Sequence, residues 1–187
     1  MIKAILFDLN KVLVTYENID LNEHFLDNFG VEQKKFWKAD QDGTFDLYNL
    51  GIIDFDEYIK RVLDVHEIDR IHVPLVKELY KKGFSSVEGI HTILKALKKA
   101  NYKLILIGGD GKHSLKFKLD NFGFKNYFDK VYCTCFEGVD KLSSHIYKKA
   151  LEDNNLKPEE AIFVDDQEVH VAVATGLGIN TIQFKDS

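Results

Sequence analysis

Four stretches of this 187-residue chain carry residue types able to do chemistry together. Asp8 closes the apolar run Ile2-Lys3-Ala4-Ile5-Leu6-Phe7, and Asp165-Asp166 closes Ala161-Ile162-Phe163-Val164. Leu104-Ile105-Leu106-Ile107 runs into Gly108-Gly109, and Lys141 follows Glu137-Gly138-Val139-Asp140. Short apolar runs of this kind predict central strands of a parallel sheet. Open α/β sheets bind ligands beyond the carboxyl ends of their strands. If these strands are neighbours, three carboxylates and a glycine turn meet at one edge. Crowded carboxylates repel, so a divalent cation is their natural neutraliser. Mg2+ suits, because it prefers oxygen ligands and takes one or two carboxylates together with waters and phosphate.

Each residue has a plain reading beside the chemical one. Asp8 is either a turn or cap residue or a nucleophile that attacks phosphorus to form an aspartyl intermediate. Asp165-Asp166 is either a helix N-cap pair or part of a metal site. Gly108-Gly109-Asp110-Gly111 is either a tight turn or a set of backbone N–H groups cradling an anion at a helix start. It is not a Walker A loop, since position 106 is Leu. Lys141 is either a solvent-facing lysine or a cation that holds a phosphate and screens the carboxylates.

The elements that must hold these residues alternate. Beyond the three runs above, Lys130-Val131-Tyr132-Cys133 and Asn180-Thr181-Ile182-Gln183-Phe184 read as strands. Helical spacing links Ile90, Ile93, Leu94 and Leu97, then Leu115, Leu119 and Phe122, then Ile146, Ala150 and Leu151; Val169, Val171, Val173 and Ala174 are less cleanly periodic. This alternation predicts a doubly wound α/β fold with a parallel sheet. Residues 16–86 break the pattern. Stripes at Phe25, Leu26 and Phe29, at Phe36 and Trp37, at Phe55, Tyr58, Ile59, Val62 and Leu63, and at Leu75, Val76, Leu79 and Tyr80 predict four helices and no strand, with Asp54 as an N-cap. Residues 1–15 and 87–187 are therefore expected to form the α/β core, and residues 16–86 a helical cap over its site.

Bulk properties narrow the function. With 45% hydrophobic and 29% charged residues the composition is globular rather than disordered. A net charge of −5 leaves no electrostatic footprint for nucleic acid. No apolar run approaches the roughly 18 residues of a membrane span, and the first apolar stretch ends in Asp8 without a cleavage site, which implies a cytoplasmic protein. Cys133 and Cys135 fit a reducing compartment, and a disulfide between them is not expected. The histidines are scattered, and a zinc site from His24, His66, His72 and His91 is not favoured. The oligomeric state cannot be read from the cap's exposed faces.

Together these segments resemble the haloacid dehalogenase-like hydrolases over nearly the whole chain. Phe7-Asp8-Leu9-Asn10-Lys11-Val12-Leu13-Val14 is similar to the family's first motif, D-x-D-G-x-L/V. Leu104 to Gly109 stands where the second ends in Ser/Thr-Asn. Gly138-Val139-Asp140-Lys141 resembles the third, and Phe163-Val164-Asp165-Asp166 with Val171, Ala174 and Gly178 the fourth. Gly51-Ile52-Ile53-Asp54-Phe55-Asp56-Glu57-Tyr58 looks like the cap's Gly-x-Ile-Ser/Asp-x-x-Glu stretch.

The resemblance implies a Rossmann-like core with an inserted α-helical cap, Mg2+ as cofactor and a small phosphorylated molecule as substrate. It implies Asp8 as nucleophile and metal ligand, the Asn10 carbonyl and Asp166 as further ligands with Asp165 in support, and Lys141 orienting Asp8 and the phosphoryl group. Gly108 and Gly109 fall at the phosphate-binding turn. Asp8, Lys141 and Asn10 would be the catalytic set. Several positions depart from the pattern. Asn10 stands in place of the acid that protonates the leaving group, a loss of about 10²–10⁴-fold. Gly108 replaces a hydroxyl residue, Lys11 a glycine, Leu142 a proline, and His170 an Asn or Asp. The expected function is phosphatase-type hydrolysis; the alternative is an inactive relative that binds a phosphorylated ligand or a protein partner.

Overall fold

Strand side chains alternate between the two faces of a sheet, and the apolar runs supply buried residues to both. The computed structural model describes residues 1–16, 21–38 and 43–185. In chain order, β1 (Ala4–Phe7) and β2 (Val14–Tyr16) precede α1 (Leu21–Phe29), α2 (Gln33–Trp37), α3 (Thr44–Asn49), α4 (Phe55–Val65) and α5 (Val73–Lys82). Then come β3 (Phe84–Ser86), α6 (Ile90–Lys99), β4 (Lys103–Gly108), α7 (Lys112–Asn121), β5 (Lys130–Cys133) and α8 (Thr134–Glu137). The chain ends with α9 (His145–Asp153), β6 (Ala161–Asp165), α10 (Glu168–Gly176) and β7 (Asn180–Gln183).

Five strands form one parallel sheet in the order β5-β4-β1-β6-β7. Ile5, Phe7, Leu104 and Leu106 face Ile90 and Leu94 of α6 and Leu115 of α7. Their neighbours Ala4, Leu6, Ile105 and Ile107 face Ile146, Ala150 and Leu151 of α9 and Ala174 of α10. The core is thus the doubly wound α/β fold that the alternation predicts. The weak periodicity of α10 has a physical reason: Ala174 alone of its residues is buried, and Val169 is 53% exposed beside an edge strand.

The inserted segment differs from expectation in two ways. Among the described residues it holds five helices rather than four, because α3 buries only Thr44 and Tyr48, too short a stripe to stand out. Phe84–Ser86 is a strand, pairing antiparallel with Val14–Tyr16 as a ribbon at the cap's base. Residues 17–20 and 39–42, within the stretch expected to be helical, lie outside the described residues. The cap has its own core, built on Phe25, Phe36, Tyr48, Ile59, Val76 and Leu79. In α4 the stripe Phe55, Tyr58, Ile59, Val62 and Leu63 is buried, and the Asp54 carboxylate caps the helix by accepting from the Glu57 N–H at 2.8 Å.

The two cysteines lie side by side. β5 ends at Cys133 and the chain turns at once into α8. Both thiols are free and buried, with their sulfurs 3.0 Å apart. No helix among the described residues is long and apolar enough to cross a membrane.

The cap is seated on the core by buried polar contacts. The Tyr48 hydroxyl accepts from the Ser114 N–H at 3.1 Å, and the Thr134 hydroxyl donates to the Asn49 carbonyl at 2.8 Å. The Tyr48 ring lies directly on Gly111, leaving no room for a Cβ. Gly111→Ala is therefore expected to cost about 1–3 kcal/mol by overpacking, read as a lowered denaturation midpoint. Wild-type stability in that variant would show that the cap rests elsewhere.

Candidate active site

Parallel pairing at matched register brings the strand ends level. Phe7 lies opposite both Leu106 and Val164, so Asp8 leaves β1 beside Asp165, and its N–H donates to the Val164 carbonyl at 2.9 Å. Carboxylate oxygens of Asp8, Asp165 and Asp166 fall within 4.8 Å of one another. Asp8 and Asp165 are buried and Asp166 is partly so. Lys141 joins them from the segment between α8 and α9. It is 3% exposed, with Nζ 2.6 Å from Asp8 Oδ1 and 2.5 Å from Asp165 Oδ2. Its stem runs past the glycine turn, where a methyl added to Gly109 would meet Lys141 Cδ at 3.5 Å. Residues 8, 109, 141, 165 and 166, distant in sequence, thus share one site.

The two adjacent acids are not equivalent. Both oxygens of Asp165 are engaged: Oδ1 accepts from the Gln167 N–H at 2.8 Å, Oδ2 from Lys141, and His170 Nδ1 lies 3.2 Å from each. Asp166 is paired only loosely, with Lys11 Nζ at 3.6 Å. Lys11 itself holds a left-handed backbone, φ 62°, which a glycine would adopt at less cost.

Burial pushes the Asp8 carboxyl above the usual carboxylate range despite the Lys141 ammonium, and Asp165 adds to the push. Burial drives Asp165 upward too, but the His170 hydrogen bond and Lys141 outweigh it and hold it low. Burial works against the Lys141 charge, yet Asp8 and Asp165 keep its pKa above the ordinary value. The balance bears on a metal. One buried ammonium faces three clustered carboxylates, and the donor set is all oxygen. These residues fit a hard divalent cation, with Asp8 and Asp166 the less engaged ligands.

Asn10 belongs to a neighbouring network that the motifs did not reveal. Lys118 Nζ donates to Asn10 Oδ1 and to Asp110 Oδ2, both at 2.7 Å, and Asn10 Nδ2 donates to the Gly109 carbonyl at 3.3 Å. Asp110 also accepts from the Gly111 N–H and the Ser114 hydroxyl. One signal was present in the sequence: Lys118 falls three residues after Leu115, on the helix's apolar stripe, where a charge demands a buried partner. Gly108 closes β4, and a Cβ there would meet only Leu9 Cβ at 3.9 Å, so the position has room for a hydroxyl side chain. A separate pocket of about 480 Å³ opens between cap and α7, lined by Tyr48, residues 51–56, Lys112 and His113.

The sequence model of the family described as haloacid dehalogenase-like hydrolase matches residues 2–178. A glyceraldehyde 3-phosphate phosphatase of Pyrococcus furiosus is 35% identical over 100 residues, covering 53% of this chain and 42% of that protein. A D-ribitol-5-phosphate phosphatase of Bacteroides thetaiotaomicron is 24% identical over 98% of this chain and 92% of its own. The matches thus span under half the length of some curated relatives and nearly all of another. A family enzyme from Bacteroides thetaiotaomicron, solved with magnesium and inorganic phosphate, superposes with a TM-score of 0.81 at 23% identity, covering 99% of this chain and 95% of that one.

Proposed function

The chain belongs to the haloacid dehalogenase-like hydrolases, and we propose that it is a Mg2+-dependent phosphatase of a small phosphorylated molecule, working through an aspartyl phosphate on Asp8. The observation that carries this reading is the Asp8–Lys141–Asp165 contact beside Asp166. The glyceraldehyde 3-phosphate and D-ribitol-5-phosphate phosphatases among its relatives, and Mg2+ in a structural neighbour, support it.

Asp8, Asp166 and the Asn10 carbonyl would hold the cation. Bound there, Mg2+ supplies charge to neutralise phosphoryl oxygens and orients the group for in-line attack. Lys141 fixes the Asp8 carboxylate and faces a phosphoryl oxygen, and the Gly109 N–H takes another. Asp8 attacks phosphorus and forms the new P–O bond as the bond to the leaving oxygen breaks. The departing oxygen keeps the electron pair and draws its proton from water, because Asn10 has none to give. Water then attacks the phosphoaspartate and releases inorganic phosphate, and its proton passes to solvent. Leaving groups stable as anions suit this site, which points to acyl and aryl phosphates ahead of alkyl phosphates. The cap would select the organic part of the substrate.

The test is hydrolysis of an aryl phosphate with Mg2+ and with EDTA, joined to acid-quench mass spectrometry of the peptide carrying Asp8. Metal-dependent turnover with a phosphoryl mass increment on that peptide is expected. Absence of both would sink the reading. The anchored amide of Asn10 favours a second reading, a binding module for a phosphorylated ligand. Tight phosphate or aryl phosphate binding without turnover would select it.

A further inference from the structure

We propose that Lys118 is a positioning residue that fixes the side-chain amide of Asn10 as a hydrogen-bond donor to the leaving oxygen. The inference rests on the phosphoryl-transfer reading above and assigns a role to a lysine outside the motifs. Lys118 is 2% exposed on α7. Its ammonium has three hydrogens and three takers: Asn10 Oδ1 at 2.7 Å, Asp110 Oδ2 at 2.7 Å, and the face of Phe84, 4.2 Å from the ring centroid. A lysine can only donate, so the amide oxygen of Asn10 must turn toward it. The amide nitrogen is thereby turned toward the glycine turn, where it lies 3.3 Å from the Gly109 carbonyl oxygen and donates one hydrogen to it. An NH₂ group has a second hydrogen, and its orientation is set by the same two anchors.

The arrangement replaces proton transfer by a fixed dipole. A freely rotating Asn two residues after Asp8 presents oxygen as readily as nitrogen, and an oxygen facing a departing anion repels it. The Lys118 contact removes that alternative. Asp110 keeps the buried ammonium compensated and is held in turn by Gly111 N–H at 2.9 Å and by the Ser114 hydroxyl at 3.0 Å. Ser114 Oγ accepts from the Tyr80 hydroxyl of the cap at 2.7 Å, so the chain of contacts that orients Asn10 begins on α5. Disturbing Lys118 is expected to matter most for leaving groups that need the donor most.

The experiment pairs Lys118→Met with Asp110→Asn, so that no acid is left uncompensated, and measures kcat/KM with Mg2+ over a series of aryl and alkyl phosphates. One neutral hydrogen bond is worth about 0.5–1.5 kcal/mol, or about 2–12-fold, so poor leaving groups should lose several-fold more than good ones. The plot of log kcat/KM against leaving-group pKa then steepens. Asn10→Ala should steepen it equally, and adding Asn10→Ala to the pair should change nothing more. A uniform loss across the series in a folded variant, or additive losses, overturns the proposal. A readout free of turnover is the Asn10 side-chain NH₂ signal in ¹⁵N NMR. It should be exchange-protected in the unaltered protein, shift on adding Mg2+ with beryllium fluoride, and lose protection in the paired variant. If the unaltered protein turns over no phosphate, the phosphatase reading falls alone. An NH₂ signal indifferent to Lys118→Met/Asp110→Asn would refute the positioning role.

Discussion

Asp8→Asn and Lys141→Met are both expected to lower turnover steeply, and to move stability in opposite directions. Asp8 supplies the attacking oxygen, and knocking out a nucleophile of this kind typically costs about 10⁶-fold in kcat. The same change deletes one of three crowded carboxylates, and burial already disfavours the charged form of that group. Asp8→Asn should therefore match or exceed the unaltered protein in denaturant midpoint. Lys141→Met keeps the stem and the volume but removes the charge between Asp8 Oδ1 and Asp165 Oδ2. Two buried acids are then uncompensated, and breaking a buried pair in this way costs about 3–5 kcal/mol. Its rate should fall by at least about 10²–10³-fold, as when a charge-stabilising donor is lost. Urea denaturation in EDTA and in Mg2+ separates the contributions. Mg2+ should recover part of the Lys141→Met deficit, since a divalent cation at the same acids replaces the missing charge. Equal stability of the two variants would mean that Lys141 does not set the charge balance of this site.

Much of this site is legible in the sequence because strand ends announce themselves. An apolar run of four to six residues that stops at Asp8, at Gly108-Gly109 or at Asp165-Asp166 fixes both a strand and what it presents at its carboxyl end. Parallel order then forces those ends together. Lys141 was legible by the resemblance of Gly138-Val139-Asp140-Lys141 to the family's third motif rather than by periodicity, since no stripe marks it. The remainder depends on contacts that close across the fold. Whether residue 118 of α7 meets residue 10 of the loop after β1 is decided by how α7 packs on the sheet, and no local pattern carries that. Strand β3 was missed for a related reason: Phe84-Ser85-Ser86 has little strand character alone and becomes a strand by pairing with Val14–Tyr16.

Asn10→Asp combined with Gly108→Ser is expected to raise turnover of alkyl phosphates by about 10²-fold, the low end of what a general acid supplies. The two changes restore different things. Gly108→Ser adds a hydroxyl at the end of β4, and the space is there, since the Cβ would meet only Leu9 Cβ at 3.9 Å. Asn10→Asp supplies an exchangeable proton to the leaving oxygen and a base for the attacking water. The gain is held to the lower end by Lys118. Its ammonium, 2.7 Å from the present Asn10 oxygen, would favour the carboxylate of an aspartate there over the acid. The new carboxylate would also lose the amide's donation to the Gly109 carbonyl and face that oxygen instead. Aryl phosphates, which need no proton on departure, should gain much less. The ratio of alkyl to aryl turnover is thus the quantity to measure, because it cancels changes in folding, metal occupancy and phosphate affinity. A rise in that ratio marks an enzyme that works without its acid and improves when given one. An unchanged ratio, with phosphate still bound tightly by the unaltered protein, would place the chain among proteins that hold a phosphorylated ligand without consuming it.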